Sequence, residues 1–204
     1  LPLVASGAYP AFDWVDHWGE FGTDPGEFDD PSGITDGPFG EVFVSERDGD
    51  RIQVFDPDGM YLRQIGSSGS GDGKMDKPEG MVVSEDGVLF LADFDNNRIS
   101  VWGTNGDYYD AFGTPGAGNG ELNGPADVTL GPDGLLYVCE YGNERIQVFT
   151  QEGVHVRNIG VGLLSAPNGV AVARDGRVWV ADSGHDVVKI FTSAGTLVDT
   201  VGSP

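Results

Sequence analysis

Acids and arginines stand in this chain at intervals that would bring them into contact. Glu46, Asp93, Glu140 and Asp182 each end a short apolar run, and an arginine follows three of them five residues on, at Arg51, Arg98 and Arg145. A tight turn between the two would set a carboxylate against a guanidinium, whose planar fork suits a bidentate pair. The pair recurs, so it reads first as a fastening of the fold and second as a ring of charges for a ligand. Val187 takes the arginine's place after Asp182, which leaves that acid without the partner the others have. That spot marks either a terminal repeat or a specialised pocket.

A second set follows Pro31, Pro78, Pro125 and Pro167: Ser32, Glu79, Ala126 with Asp127, and Asn168. Carboxylates and an amide gathered on one axis would suit a hard cation such as Ca²⁺, which takes oxygen ligands. The other reading is of polar side chains lining a water-filled channel. His17, His155 and His185 are too scattered to make a tetrahedral zinc site. The "DPDG" from Asp56 resembles part of an EF-hand loop but lacks the further acids and closing Glu, so it reads as a hairpin turn. Cys139 is the one cysteine, which excludes an intramolecular disulfide. Its run "LLYVCEYG" makes it a buried small hydrophobe rather than a reactive thiol. No nucleophile elbow, phosphate loop or dinucleotide fingerprint stands in a fitting context.

The elements that must position these residues are legible in an internal repeat. "DGDRIQVFDPDGMYLRQIG" returns as "NNRISVWGTNGDYYDAFG", "NERIQVFTQEGVHVRNIG" and "HDVVKIFTSAGTLVDTVG". Closing glycines fall at Gly19, Gly66, Gly113, Gly160 and Gly202, with three intervals of 47 residues and a last one of 42. The prolines keep the same register, with steps of 47, 47 and 42. Each unit reads as four short strands: one after the proline, one ending at the acid, one such as "RIQVF", and one running to the closing glycine. Asp-Gly turns such as "EDG" join the first two, a strong hairpin signal. No long stretch has a 3.6-residue apolar period, so helices should be nearly absent. Phe28, Met75 and Leu122 recur ahead of the prolines as plugs between units. Phe55, Trp102, Phe149 and Phe191 share a third-strand position and read as core, with an aromatic sugar platform as the other reading.

Four antiparallel strands in a unit of this length are the arithmetic of a β-propeller blade. The expected fold is all-β: one domain over 1–204, with complete blades at approximately 20–66, 67–113, 114–160 and 161–202. The run "FDWVDHWG", Phe12 to Gly19, matches an outer strand and precedes them as an orphan. Bare blade faces would be apolar patches that soluble monomers rarely carry. The ring is therefore expected to be incomplete, or to be completed by a partner or by self-association; a closed four-bladed ring is the remaining alternative.

The loop "PGEFDDPSGI", the strand ends "VSE" and "VAD", and the run N-x-R-I-x-V-F resemble the NHL repeat family, from about Trp18 to Gly202. The resemblance implies a propeller, most often of six blades, and members that include binders, scaffolds and a few enzymes. "PNGVAV" with "VWVADS" is similar to the gluconolactonase-type propellers, where the Asn of that motif and a Glu and an Asp from other blades bind a divalent metal. By that resemblance Glu79, Asp127 and Asn168 would be the metal ligands of a hydrolase or lactonase. Peptidyl-hydroxyglycine lyases, also NHL-like, hold zinc through channel histidines, which this sequence does not place there.

Charge narrows the partners. Acids number 33 against 11 Lys and Arg, for a net charge of −22. Nucleic acids and anionic membranes need a basic footprint, so both are excluded as partners. No apolar stretch approaches the ~18 residues of a membrane span, and "LPLVASGAYP" lacks the basic start of a signal peptide. An acidic surface favours a cation, a basic protein partner or solubility, and the Asp-rich, Lys-poor balance suits an extracellular or periplasmic setting. The expected function is a non-enzymatic binding or scaffold propeller, without a cofactor, for a protein or small ligand, as a subunit of a larger assembly. The alternative is the divalent-metal hydrolase.

Overall fold

The computed structural model describes residues 18–202. Most of the orphan strand from Phe12, and His17 with it, lie outside the described residues. The first blade comprises β1 (Pro31–Asp36), β2 (Val42–Glu46), β3 (Arg51–Phe55) and β4 (Tyr61–Ile65). The second comprises β5 (Pro78–Val83), β6 (Val88–Asp93), β7 (Arg98–Gly103) and β8 (Tyr108–Phe112). The third comprises β9 (Pro125–Leu130), β10 (Leu136–Glu140), β11 (Arg145–Phe149) and β12 (His155–Ile159). The fourth comprises β13 (Pro167–Val172), β14 (Val178–Asp182), β15 (Val187–Phe191) and β16 (Leu197–Val201). Every blade is an antiparallel meander in chain order. Among the described residues the helical element is a single 3-10 turn, Ser183–His185.

Local chemistry explains the hairpins. Between β5 and β6, Ser84 N–H donates to Val88 O at 2.8 Å and Gly87 N–H to Ser84 O at 2.9 Å. Gly87 turns the chain at φ +78°, a conformation open to glycine at no steric cost. The β2–β3, β6–β7 and β10–β11 hairpins set Glu46 opposite Arg51, Asp93 opposite Arg98 and Glu140 opposite Arg145. Strands inside a blade are covered on both faces, so β10 and β11 are buried along their whole length. That is why they read as near-continuous apolar runs rather than alternating ones.

Blades stack through three apolar cores. Ile52, Ile65, Met75 and Trp102 join the first two blades, Ile99, Leu122 and Phe149 the second and third, and Ile146, Ile159, Leu164 and Phe191 the third and fourth. The inner strands follow suit, with β1 against β5, β5 against β9, and β9 against β13. No comparable packing joins β13 to β1. Among the described residues the four blades form an open arc, and the closed four-bladed ring is set aside. Ile34 on β1 is 69% exposed, whereas Met81, Val128 and Val170 at the same place in the other blades are buried.

Candidate functional site

The plugs and acids act together at the entry to each blade. Asp29 N–H donates to Glu46 at 2.8 Å, Asp76 N–H to Asp93 at 2.8 Å, Asn123 N–H to Glu140 at 3.1 Å and Ser165 N–H to Asp182 at 2.7 Å. Each donor directly follows a plug residue: Phe28, Met75, Leu122 or Leu164. The arginines then tie down the rest of the incoming loop. Arg145 donates to the carbonyls of Ala117, Gly118 and Glu121, and Arg51 to those of Thr23 and Glu27. All four acids are fully buried. The acid–arginine ring is thus a set of fasteners, each within one blade and its own loop.

Two details depart from the sequence reading. The contact is bidentate in the first blade, where Arg51 Nε and Nη2 reach the two Glu46 oxygens at 2.7 and 3.0 Å. In the second and third blades Arg98 and Arg145 bond one carboxylate oxygen through Nε. Asn96 and Asn143 engage the acid from inside the turn, so the fork is not needed. Asp182, expected to lack a cation, does not. Lys189 Nζ lies 2.6 Å from it and His185 Nδ1 2.8 Å. Burial works to raise the Asp182 carboxyl, but bonds from Lys189, the Ser165 N–H and His185 outweigh it and hold the group below the usual range. Asp93 goes the other way, since burial there outweighs the Asp76 N–H, Asn96 and Arg98.

The residues after the prolines do converge. Ser32, Glu79, Ala126, Asp127 and Asn168 line one pocket of about 660 Å³ on the inner-strand side of the arc. Its rim is Arg47, Phe94 and Tyr141, the residues that follow the second-strand acids. Sequence reasoning passed over these rim residues. The signal was available: one position of the repeat carries Arg47, Phe94, Tyr141 and Ser183, while the residue directly before it is always an acid. Arg47 forms an ion pair with Glu79 at 2.9 Å and lies over the Phe94 ring at 5.6 Å. The Phe94 and Tyr141 rings are 6.3 Å apart. Ser32 Oγ–H donates to Glu79, and Ser183 Oγ–H to Asn168 Oδ1 at 2.7 Å.

Asp127 takes a place that is glycine in the other blades, Gly33, Gly80 and Gly169. Its Oδ1 accepts from Val128 N–H and its Oδ2 from Val170 N–H, both at 2.9 Å, so it bridges β9 to β13. Burial raises its carboxyl and the nearby Glu79 charge adds to that, against the two N–H bonds. Glu79, Asp127 and Asn168 therefore share a pocket, but as placed they do not form a cation's oxygen cage. Each is engaged by protein donors, and the Arg47 cation sits on Glu79. Among the described residues no group of three or more His, Cys, Asp or Glu side chains is placed to hold a metal. His155 lies in outer strand β12 and His185 in the 3-10 turn. Cys139 is buried. No helix among the described residues is long and apolar enough to cross a membrane.

Four-stranded blades stacked through successive cores define a β-propeller. Residues 122–149 and 164–191 match the NHL repeat, so the third and fourth blades of the propeller carry NHL repeats. Among curated proteins none matches the sequence. Of solved structures, it is similar to a catalytically inactive virginiamycin B lyase from Staphylococcus aureus with quinupristin, at 20% identity and a TM-score of 0.68, over 85% of this chain and 56% of that one. A Kuenenia stuttgartiensis hydrazine synthase gives 18% identity and a TM-score of 0.67, over 85% of this chain and 49% of that one. A chain of a nidogen/laminin complex gives 20% and 0.68, over 85% and 64%. At such identities the likeness is one of fold. The chain spans 49–64% of the length of these structures.

Proposed function

We propose that this propeller is a recognition module whose channel mouth takes a protein segment bearing a basic side chain. One observation carries the reading. The framework positions repeat from blade to blade, while the rim position varies through a guanidinium, two aromatic rings and a hydroxyl at Arg47, Phe94, Tyr141 and Ser183. Positions that stay the same hold the blade together; a partly to fully exposed position that changes chemistry in each blade suits selection of a ligand. The Tyr141 ring offers a π face to a cation in the pocket that the carboxylates of Glu79 and Asp127 line. The net charge of −22 draws basic partners to that mouth. The nidogen/laminin complex contains a similar propeller alongside another protein, which supports the same kind of use.

The rival, a metal-dependent hydrolase, draws on the same pocket, but its ligand candidates are already bonded to protein groups. An array of decapeptides of varied charge separates the two. Peptides with a central Lys or Arg are retained, retention falls with salt, and Tyr141→Ala or Glu79→Gln lowers it by about tenfold or more without altering the circular dichroism. Retention that ignores peptide charge, or that survives both substitutions, would count against recognition. Thermal stabilisation by Ca²⁺, lost in Glu79→Ala and Asn168→Ala, would favour the hydrolase.

A further inference from the structure

We propose that Arg47 is the pocket's own ligand: its side chain fills a subsite for an arginine guanidinium, and a ligand's arginine enters by displacing it. The inference deepens the recognition reading, on which it rests for the kind of partner. Its basis is the way Arg47 is held. Nε is buried 2.9 Å from Glu79 Oε1, and the guanidinium lies over the Phe94 ring at 5.6 Å. A carboxylate beside the guanidinium and an aromatic face against it are the contacts by which a protein takes a foreign arginine. Glu79 is oriented for that use, since Ser32 Oγ–H donates to its Oε2 and leaves Oε1 to the cation.

The hold is loose beside that of the framework arginines. Arg51, Arg63, Arg98 and Arg145 each donate four hydrogen bonds from the guanidinium. Among the described residues the Arg47 guanidinium donates none. Its Nε is within reach of Glu79 yet makes no hydrogen bond to it. A buried N–H without an acceptor costs free energy, so the filled subsite carries a penalty that the framework arginines do not. Attraction to Glu79 and to the Phe94 face keeps Arg47 in place, and its side chain is 38% exposed.

The rim completes the subsite. Arg47, Phe94 and Tyr141 hold one repeat position in three successive blades, and the Tyr141 ring is 6.3 Å from that of Phe94. When Arg47 swings out, Glu79 Oε1 and the Phe94 face are uncovered in the pocket that Tyr141 also lines. A flat guanidinium can make both contacts at once, whereas an ammonium is a compact, strongly hydrated charge. Arginine is therefore preferred to lysine. A tethered side chain competes with any ligand at an effective concentration of about millimolar. If Arg47 fills the subsite about nine-tenths of the time, apparent affinity falls about tenfold. Arg47 thus sets a threshold: a weakly bound cation is turned away, and an arginine with further contacts outside the pocket is admitted.

The test titrates N-acetyl-arginine methylamide, and its lysine counterpart, into the full chain and into Arg47→Ala and Arg47→Gln, following the Glu79 and Tyr141 amide signals by NMR. Both substitutions should raise the affinity for the arginine probe about tenfold and widen its lead over the lysine probe. Adding Phe94→Leu to Arg47→Ala should abolish the gain. Lys77→Gln, which removes a nearby positive charge outside the pocket, should leave the preference as it was. Affinity that stays level or falls without Arg47 overturns the proposal, as does a variant that takes neither probe. An equal gain for lysine, or the same gain from Lys77→Gln, would reduce the effect to net charge and overturn it too. Basic peptides held by the parent but no more tightly by Arg47→Ala overturn the displacement and leave the recognition reading standing. An arginine probe taken as expected, with no basic peptide retained, overturns the recognition reading and leaves the subsite.

Discussion

Lys189 Nζ lies 2.6 Å from the Asp182 carboxylate, although Lys189 stands two residues beyond the place that carries arginine in the other blades. Residues two apart on a strand share a face, so the lysine reaches back along β15 to the same buried oxygens. Gln53 and Gln147 hold its place in the first and third blades and also donate to their acids, at 2.7 and 2.9 Å. A lysine there supplies the charge that Val187 cannot. Its ammonium also donates to Leu163 O in the entry loop, as the arginines do in the other blades.

Replacing that lysine leaves a buried carboxylate with half-exposed His185 and one N–H. Lys189→Met should cost about 3 kcal/mol in urea unfolding, the scale for stripping one partner from a buried pair, and adding Asp182→Asn should recover much of it. The Asp182 carboxyl is held low in the fold, so its stabilisation is present above about pH 4 and is lost as the pH falls from the unfolded value of about 3.9 through the folded one. The acid limb of the stability curve should flatten in Lys189→Met. A loss below about 0.5 kcal/mol, the level of a neutral surface change, would show that Lys189 is dispensable.

Asp127 should show the opposite sign. Its folded carboxyl is raised, so its contribution to stability is fullest below about pH 3.9 and fades as the pH rises through the folded value. Carboxyl ¹³C titration should place its midpoint above about 3.9, and Glu79→Gln should move it down by removing a neighbouring negative charge. A midpoint that ignores Glu79 would mean the two carboxylates do not sense each other.

Gly80 is needed for close approach. A Cβ there would fall on the Asp127 carboxylate and lie 2.8 Å from the Asp127 Cα. Gly80→Ala should destabilise by about 2 kcal/mol through overpacking. Gly71 has open space around it and no left-handed backbone, so Gly71→Ala should stay within about 0.5 kcal/mol of the parent. Equal effects of the two, by chemical denaturation, would remove the close-packing argument.

Burial, with nearby Asp127, Glu140 and Asp182 adding to it, pushes the Cys139 thiol well up. The thiolate is the reactive form, so native Cys139 should resist a disulfide reagent at neutral pH and react only after unfolding. Fast labelling of the folded chain would show that this core opens.

The repeat made most of the fold legible. Its Asp-Gly turns, apolar runs and regular prolines each act locally, and the sixteen strands among the described residues follow from them. The channel residues Ser32, Glu79, Asp127 and Asn168 were also legible, because the register of the repeat puts the post-proline positions on one axis. Leu164 escaped notice as a plug because the last entry loop is shorter, with its plug four residues after the glycine instead of nine. Spacing could not show it; packing against Gly160 did.

What the sequence by itself determined about this protein is the blade: strand order, hairpin ends, the acid that each entry loop bonds to, and an acidic surface. These depend on contacts within about one repeat, where spacing along the chain is a good guide to distance. Only the tertiary structure decided which cation serves Asp182 and that Arg47 neutralises Glu79 beneath an aromatic rim. Those relationships depend on side-chain reach and on neighbours a whole repeat away, and a linear pattern does not specify either.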